Sequence, residues 1–132
     1  MANELVLIVE DNEKNRILAR EVLSFNGYRT VEAENAEDGI RIAREQKPAL
    51  ILMDFHLPGM TGIEALGRLR ADPATKSIPV IAVTASAMHE DREKIVAAGF
   101  DGLETKPIHI KRFAQTVREV LKGSEQFTGN KP

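Results

Sequence analysis

The sequence predicts an α/β fold built on a parallel sheet, and three observations carry that expectation. Short, nearly continuous apolar runs recur at Leu5-Val9, Leu50-Met53 and Val80-Val83, the pattern of strands covered on both faces. Segments with apolar residues at helical spacing alternate with strand-like segments five times along the chain. Chemically active side chains stand where the strand-like segments end, namely Glu10-Asp11, Asp54, Thr84 and Lys106.

Taken in order, Leu5-Val9 is the first strand, and Ile17, Leu18, Val22 and Phe25 give the following helix its apolar spacing. Asn26-Gly27 ends that helix, since glycine tolerates the left-handed conformation of a C-terminal cap. Tyr28-Ala33 mixes polar and apolar residues as an edge strand does. Ala36, Ile40 and Ala43 mark a helix with a narrow apolar face, stopped before Pro48. Leu50-Met53 is the central strand, and Pro58, Gly59 and Gly62 mark the loop after it. Thr61 is placed to cap the helix carrying Ile63, Leu66 and Leu69, which Asp72-Pro73 breaks. Pro79 introduces the strand Val80-Val83; a weakly patterned helix through Glu93-Ala98 follows, closed by Gly99. Asp101-Thr105 is the last strand, and Ile110, Phe113, Val117, Val120 and Leu121 form the clearest amphipathic stripe.

The 132 residues suit one domain, expected over 1–122. From Gly123 onward polar residues dominate and only Phe127 is apolar, so 123–132 reads as a disordered tail. Cysteine is absent, which excludes thiolate metal sites and thiol nucleophiles. The formal charge of -2 lacks the basic excess of a phosphate-backbone binder, so no direct nucleic-acid binding is expected. No apolar stretch approaches the roughly 20 residues that span a bilayer, and the start does not resemble a signal peptide. A cytoplasmic protein with no membrane contact is the expectation.

In an open parallel sheet, ligands bind outside the carboxyl ends of the strands. Three carboxylates, a hydroxyl and an ammonium would converge there, which reads as a divalent-metal and phosphoryl site. A carboxylate attacks phosphorus poorly until charge repulsion is removed, and magnesium removes it while preferring hard oxygen ligands. Asp11 and Asp54 would supply side-chain oxygens, and Glu10 would hold a coordinated water or orient Asp11. Lys106 would set a fixed positive charge against the phosphoryl oxygens, with Thr84 as hydroxyl donor. Taken singly, each residue has an ordinary role as a cap, a strand end or a surface charge; their conjunction at four strand ends carries the claim. His56, His89 and His109 show no zinc-ligand spacing, and His89 and His109 read as exposed residues at helix starts.

Four segments together resemble the receiver domain of two-component response regulators: Val9-Glu10-Asp11-Asn12, Leu52 to Gly62, Val83-Thr84-Ala85 and Thr105-Lys106-Pro107. The resemblance runs from about Leu5 to about Leu121 and is greatest to single-domain regulators of the CheY and DivK type. It implies a flavodoxin-like, doubly wound five-stranded sheet in order 2-1-3-4-5 with helices on both faces. It also implies Asp54 as phosphoacceptor, Glu10 and Asp11 as the acidic pair, and the main-chain carbonyl of His56 as a further Mg2+ ligand. Mn2+ is expected to substitute for Mg2+. Thr84, Ala85 and Lys106 match the phosphoryl-binding and switch positions, and Lys106-Pro107 matches a bond that is usually cis.

Two departures stand out. Many receivers carry an aromatic switch residue three positions before the lysine, where this chain has Leu103; Phe100 lies too early to replace it simply. His56 and Ser86 occupy positions that modulate attack of water on the acyl phosphate, so both are expected to tune the lifetime of phospho-Asp54. Swapping each and following loss of the phosphoryl group tests this, with unchanged lifetimes counting against it.

The function implied is a phosphorelay switch charged by a histidine kinase or histidine phosphotransfer protein and read by a downstream protein target. The receiver itself does the chemistry of its phosphorylation, so small phosphodonors would serve, and no other enzymatic activity is expected. Partner docking is expected at Asn15, Leu18, Pro107 and Ile108. The last two helices could serve a homodimer or a target. Two competing readings are a receiver-fold module that is never phosphorylated and an aspartyl-phosphate hydrolase. The hydrolase reading suffers from His56, which stands where such enzymes place an acid, and from the lack of a cap domain.

Overall fold

The computed structural model describes residues 3–85 and 89–123, with only the backbone described at 89 and 90. Ser86 and residues 124–132 of the expected tail lie outside the described residues. Ten elements alternate: β1 (Leu5–Val9), α1 (Glu13–Phe25), β2 (Arg29–Ala33), α2 (Ala36–Gln46), β3 (Leu50–Asp54), α3 (Gly62–Ala71), β4 (Val80–Thr84), α4 (His89–Ala98), β5 (Gly102–Thr105) and α5 (Ile110–Lys122). The sheet is parallel throughout, in order β2-β1-β3-β4-β5. This is the flavodoxin-like order expected from the family resemblance.

Strand alternation sorts the apolar side chains onto two faces. Leu7, Val9, Ile51, Met53, Val80 and Ala82 face one way and pack with Ile40, Leu66, Leu69, Ile95 and Phe100, so α2, α3 and α4 seal one side. Val6, Ile8, Leu50, Leu52, Ile81 and Val83 face the other way against Val22, Leu23, Phe113 and Val117, where α1 and α5 lie. All five residues of β3 and of β4 are buried, which explains why their sequences read as unbroken apolar runs.

Local chemistry sets the element ends. Asn12 caps α1 by accepting from Asn15 N–H at 3.0 Å, so the helix begins within one residue of the acidic pair. Thr61 and Glu64 form a reciprocal capping box at the start of α3, as the placement of Thr61 suggests. After α1, Gly27 adopts φ 89°, the left-handed conformation in which glycine carries no Cβ penalty. In α2, a Cβ on Gly39 would come within 2.7 Å of Val9 Cγ2, so a bare Cα lets α2 lie close on β1.

Four apolar residues behave differently from their helical spacing. Phe25 is 91 % exposed, Ile110 58 %, Ile63 41 % and Ile17 38 %; Phe25, Ile110 and Ile63 sit in the first or last turn of their helices, and Ile17 lies on the flank of α1. Leu103 is half-buried and packs against the core formed with α4, in keeping with a core-edge role. Phe100 is buried edge-on against Phe55, with ring centroids 6.1 Å apart.

Glu104 is the unexpected resident of the interior. Its position on β5 turns it under α5, where it is 2 % exposed. Thr116 Oγ1 donates to Oε2 at 2.6 Å, while Oε1 is buried with no hydrogen-bond partner and has Arg112 Nε at 3.8 Å. Burial pushes this carboxyl above its ordinary 4.5, against the opposing pull of Thr116 and Arg112. Between the ordinary value and the raised one, the folded chain holds more protons than the unfolded chain, so Glu104 costs stability as pH rises through that window. Glu104→Gln is therefore expected to unfold at higher temperature than wild type at pH 7, by about 1 kcal/mol. The gap should close as pH falls below the ordinary carboxylate range. A melting series from pH 4 to 8 checks it, and a variant less stable than wild type at pH 7 contradicts it.

Candidate functional site

The carboxyl ends of β1, β3, β4 and β5 meet at one edge of the sheet, and the ladder sets their relative heights. Val9 is level with Met53, Asp54 with Val83, and Thr84 with Thr105. Glu10 and Asp11 follow β1, Asp54 closes β3, Thr84 closes β4 and Lys106 follows β5. Carboxylate oxygens of Glu10, Asp11 and Asp54 all lie within 4.8 Å of one another. Glu10 and Asp54 are buried, and Asp11 is exposed at the mouth.

Lys106 ties the inner two acids together. Its Nζ is 3.0 Å from Asp54 Oδ2 and 3.0 Å from Glu10 Oε1. Burial alone would lower the ammonium's pKa, but hydrogen bonds to Asp54 and Glu10 reverse the shift and raise it. Glu10 is pushed up by burial, partly offset by the Asn12 N–H at 3.1 Å and by Lys106, with the Asp54 charge adding to the upward push. Asp54 Oδ1 accepts the main-chain N–H of His56 at 3.0 Å, which fixes the carboxylate plane. Three hard oxygen donors with a net negative charge suit a small divalent cation. The donor set fits Mg2+, with Asp11 facing solvent and Lys106 occupying the inner side.

Thr84 is fully buried, and its carbonyl accepts from Lys106 N–H at 2.8 Å, so the ends of β4 and β5 are joined next to the site. Ala85 is exposed beside it. The Lys106-Pro107 bond is cis, as the resemblance implies. The His56 ring is exposed and stands edge-on to Phe55 at 5.1 Å. Among the described residues no histidine joins the metal-competent cluster. Asn15 and Ile108 border the same crevice as Glu10 and Asp54; Leu18 is half-buried against the core and Pro107 is exposed. A wider groove of about 760 Å³ opens at the other end of the sheet, around Arg70, Lys76, Pro79 and Asp101. There Arg70 and Asp101 neutralise each other at 2.9 Å, and no acidic cluster forms.

A family model described as the response regulator receiver domain matches residues 6–118. The chain belongs to that family. It is 43 % identical over 116 residues to the polar-differentiation response regulator DivK of Brucella anthropi, covering 88 % of this chain and 94 % of that protein. Among solved structures it resembles the receiver domain of a Pseudomonas aeruginosa sensor histidine kinase, with 30 % identity and a TM-score of 0.83 over 91 % of this chain and 98 % of that one. A response regulator from Chloroflexus aurantiacus superposes with a TM-score of 0.87 at 25 % identity, over 91 % of this chain and 98 % of that one. Receiver domains are in general signalling switches rather than enzymes, bind Mg2+ at an acidic site, and interact with histidine kinases and downstream targets. This receiver domain is thus consistent with a phosphorelay switch. No described helix is long and apolar enough to cross a membrane.

Two residues of this receiver domain escape motif reading. Arg16 donates from Nη1 to the main-chain carbonyl of Glu10 at 2.9 Å, and Glu104 is buried under α5. Strand alternation from Gly102 could have placed Glu104 inward. Nothing local in the sequence signals Arg16, whose acidic partner Glu32 lies on β2.

Proposed function

We propose that the receiver accepts a phosphoryl group from a phosphohistidine onto Asp54 and thereby changes the face formed by α4, β5 and α5. The observation that carries this is a buried Asp54 carboxylate at the end of the central strand, paired at 3.0 Å with Lys106 and within 4.8 Å of two further acids. An Asp54 oxygen attacks phosphorus; the new O–P bond forms as the N–P bond of the donor breaks, and the imidazole leaves with the electron pair. Asp11, Asp54 and the His56 carbonyl would hold Mg2+, with Glu10 acting through a water. When bound, the metal supplies the positive charge that offsets repulsion between carboxylate and phosphoryl oxygens. The Pseudomonas receiver that this chain resembles has a magnesium ion in its active-site cleft, which supports the assignment. Mn2+ would fit the same oxygen donors.

Lys106 then exchanges part of its pairing with Asp54 for the phosphoryl oxygens, and Thr84 at the end of β4 and Ala85 just after it supply donors. Because the Thr84 carbonyl holds Lys106 N–H, displacement at one strand end is shared by the other. Leu103 on β5 would follow as an aliphatic element of the switch. The phosphodonor, a cytoplasmic histidine kinase or phosphotransfer protein, would dock over Asn15, Leu18, Pro107 and Ile108. The α4-β5-α5 face would go to a downstream protein or to a second copy. His56 would tune the lifetime of the acyl phosphate, with Ser86 the other tuning position assigned from sequence.

Intact mass after incubation with acetyl phosphate tests the reading. One added phosphoryl group with Mg2+, and none with chelator, is the expected result. No adduct, even with a phosphohistidine donor, would replace it with a phosphorylation-independent binding module, and multiple turnover of a phosphomonoester would replace it with a hydrolase.

A further inference from the structure

The acidic pair is mounted on main chain that the sheet holds on one side only. Glu10 N–H donates to the Ala33 carbonyl at 3.0 Å, but the Glu10 carbonyl lies past the last paired residue of β1 and accepts instead from a side chain. Arg16, in the second turn of α1, reaches back to fill that gap with its Nη1 at 2.9 Å. The same guanidinium places Nε 3.1 Å from Glu32 Oε1 on β2, and its side chain is only 11 % exposed. Arg20 holds the other oxygen of Glu32 at 3.0 Å, so Glu32 is gripped by both arginines of α1. A planar fork carrying several donors can serve both acceptors together, which a lysine cannot do.

We infer that Arg16 is a positioning residue of the metal site, aiming Asp11 by fixing the Glu10–Asp11 peptide plane. The Glu10 carbonyl and the Asp11 N–H belong to one rigid peptide unit, so a hydrogen bond to the carbonyl sets the direction from which the Asp11 side chain leaves. Asp11 is exposed, and this main-chain anchor substitutes for the packing that orients Glu10 and Asp54. Outer partners that orient ligands commonly change metal affinity by ~10–100-fold when removed. The inference rests on the Mg2+ reading given above.

An NMR titration with Mg2+, following backbone amides, separates the two claims. Arg16→Met, which keeps an apolar stem, should weaken the Mg2+ dissociation constant about tenfold. Arg20→Met, which also strips Glu32 of an arginine but leaves Glu10 alone, should stay within about twofold of wild type, well short of the change expected in Arg16→Met. Equal weakening in both variants, or none in Arg16→Met, overturns the inference while leaving the metal site standing. Absence of saturable Mg2+ binding in the wild type overturns the metal reading and the inference with it. If Arg16→Met does not give a folded spectrum, Arg16→Lys and Arg20→Lys are judged by the same contrast, with weakening confined to the former as the supporting result.

Discussion

Asp54→Asn will take up no phosphoryl group under conditions that fully modify the wild type. The substitution keeps the shape of the side chain and an oxygen for the His56 N–H, but removes the charged nucleophile. Because Asp54 is 3 % exposed and shares Lys106 with Glu10, deleting its charge also relieves repulsion between acids. Lys106 keeps Glu10 as partner, so no buried cation is stranded. The folded state should accordingly change by no more than about 1 kcal/mol, and a melting curve taken beside the mass spectrum will show that lost uptake is lost chemistry. An adduct persisting in Asp54→Asn would move the acceptor to Glu10 or Asp11 and sink the assignment.

Phe113→Ala will be the most damaging single truncation on the α5 side of the sheet. Phe113 is fully buried and packs with Ile81, Val83 and Val117. Emptying a site of that size typically costs ~3–5 kcal/mol, a large share of the ~5–15 kcal/mol that holds a domain together. With an m-value of about 2 kcal/mol/M, the urea midpoint should fall by roughly 2 M. Ile110→Ala on the same helix should barely move it, since Ile110 is 58 % exposed. A shift below about 0.5 M for Phe113→Ala would mean that α5 is not docked as described.

The central strands and their chemistry were legible because they depend on local pattern. β3 and β4 are buried on both faces, so they are apolar up to the last residue of each, where the buried polar side chains of Asp54 and Thr84 stand at the carboxyl edge of the sheet. Helix faces were legible in direction but not in extent. α1 spans 13 residues beside a five-residue β1, so at about 1.5 Å per helical residue against about 3.3 Å per strand residue it outruns the sheet, and Phe25 at its end finds no cover. α4 was the weakest helix to read; of its described side chains only Ile95 is fully buried. Arg16 was beyond sequence reasoning, and Glu104 was readable only in its inward direction, for a different reason. Each is a single charged residue whose meaning comes from a partner far along the chain, Glu32 for one and Thr116 for the other.

Glu104 carries a consequence for life in a crowded solution. β5 lies at the border of the sheet, and its outer rim offers main-chain groups that could recruit a strand from a neighbouring molecule. Short border strands and charges turned inward are two devices that discourage such recruitment. β5 uses both, with four residues and a carboxylate beneath them. A second chain trying to extend the sheet there would meet a strand of only four residues, too brief to hold it. Brevity at the border, with a carboxylate turned inward behind it, gives β5 little to offer the seed of a fibre.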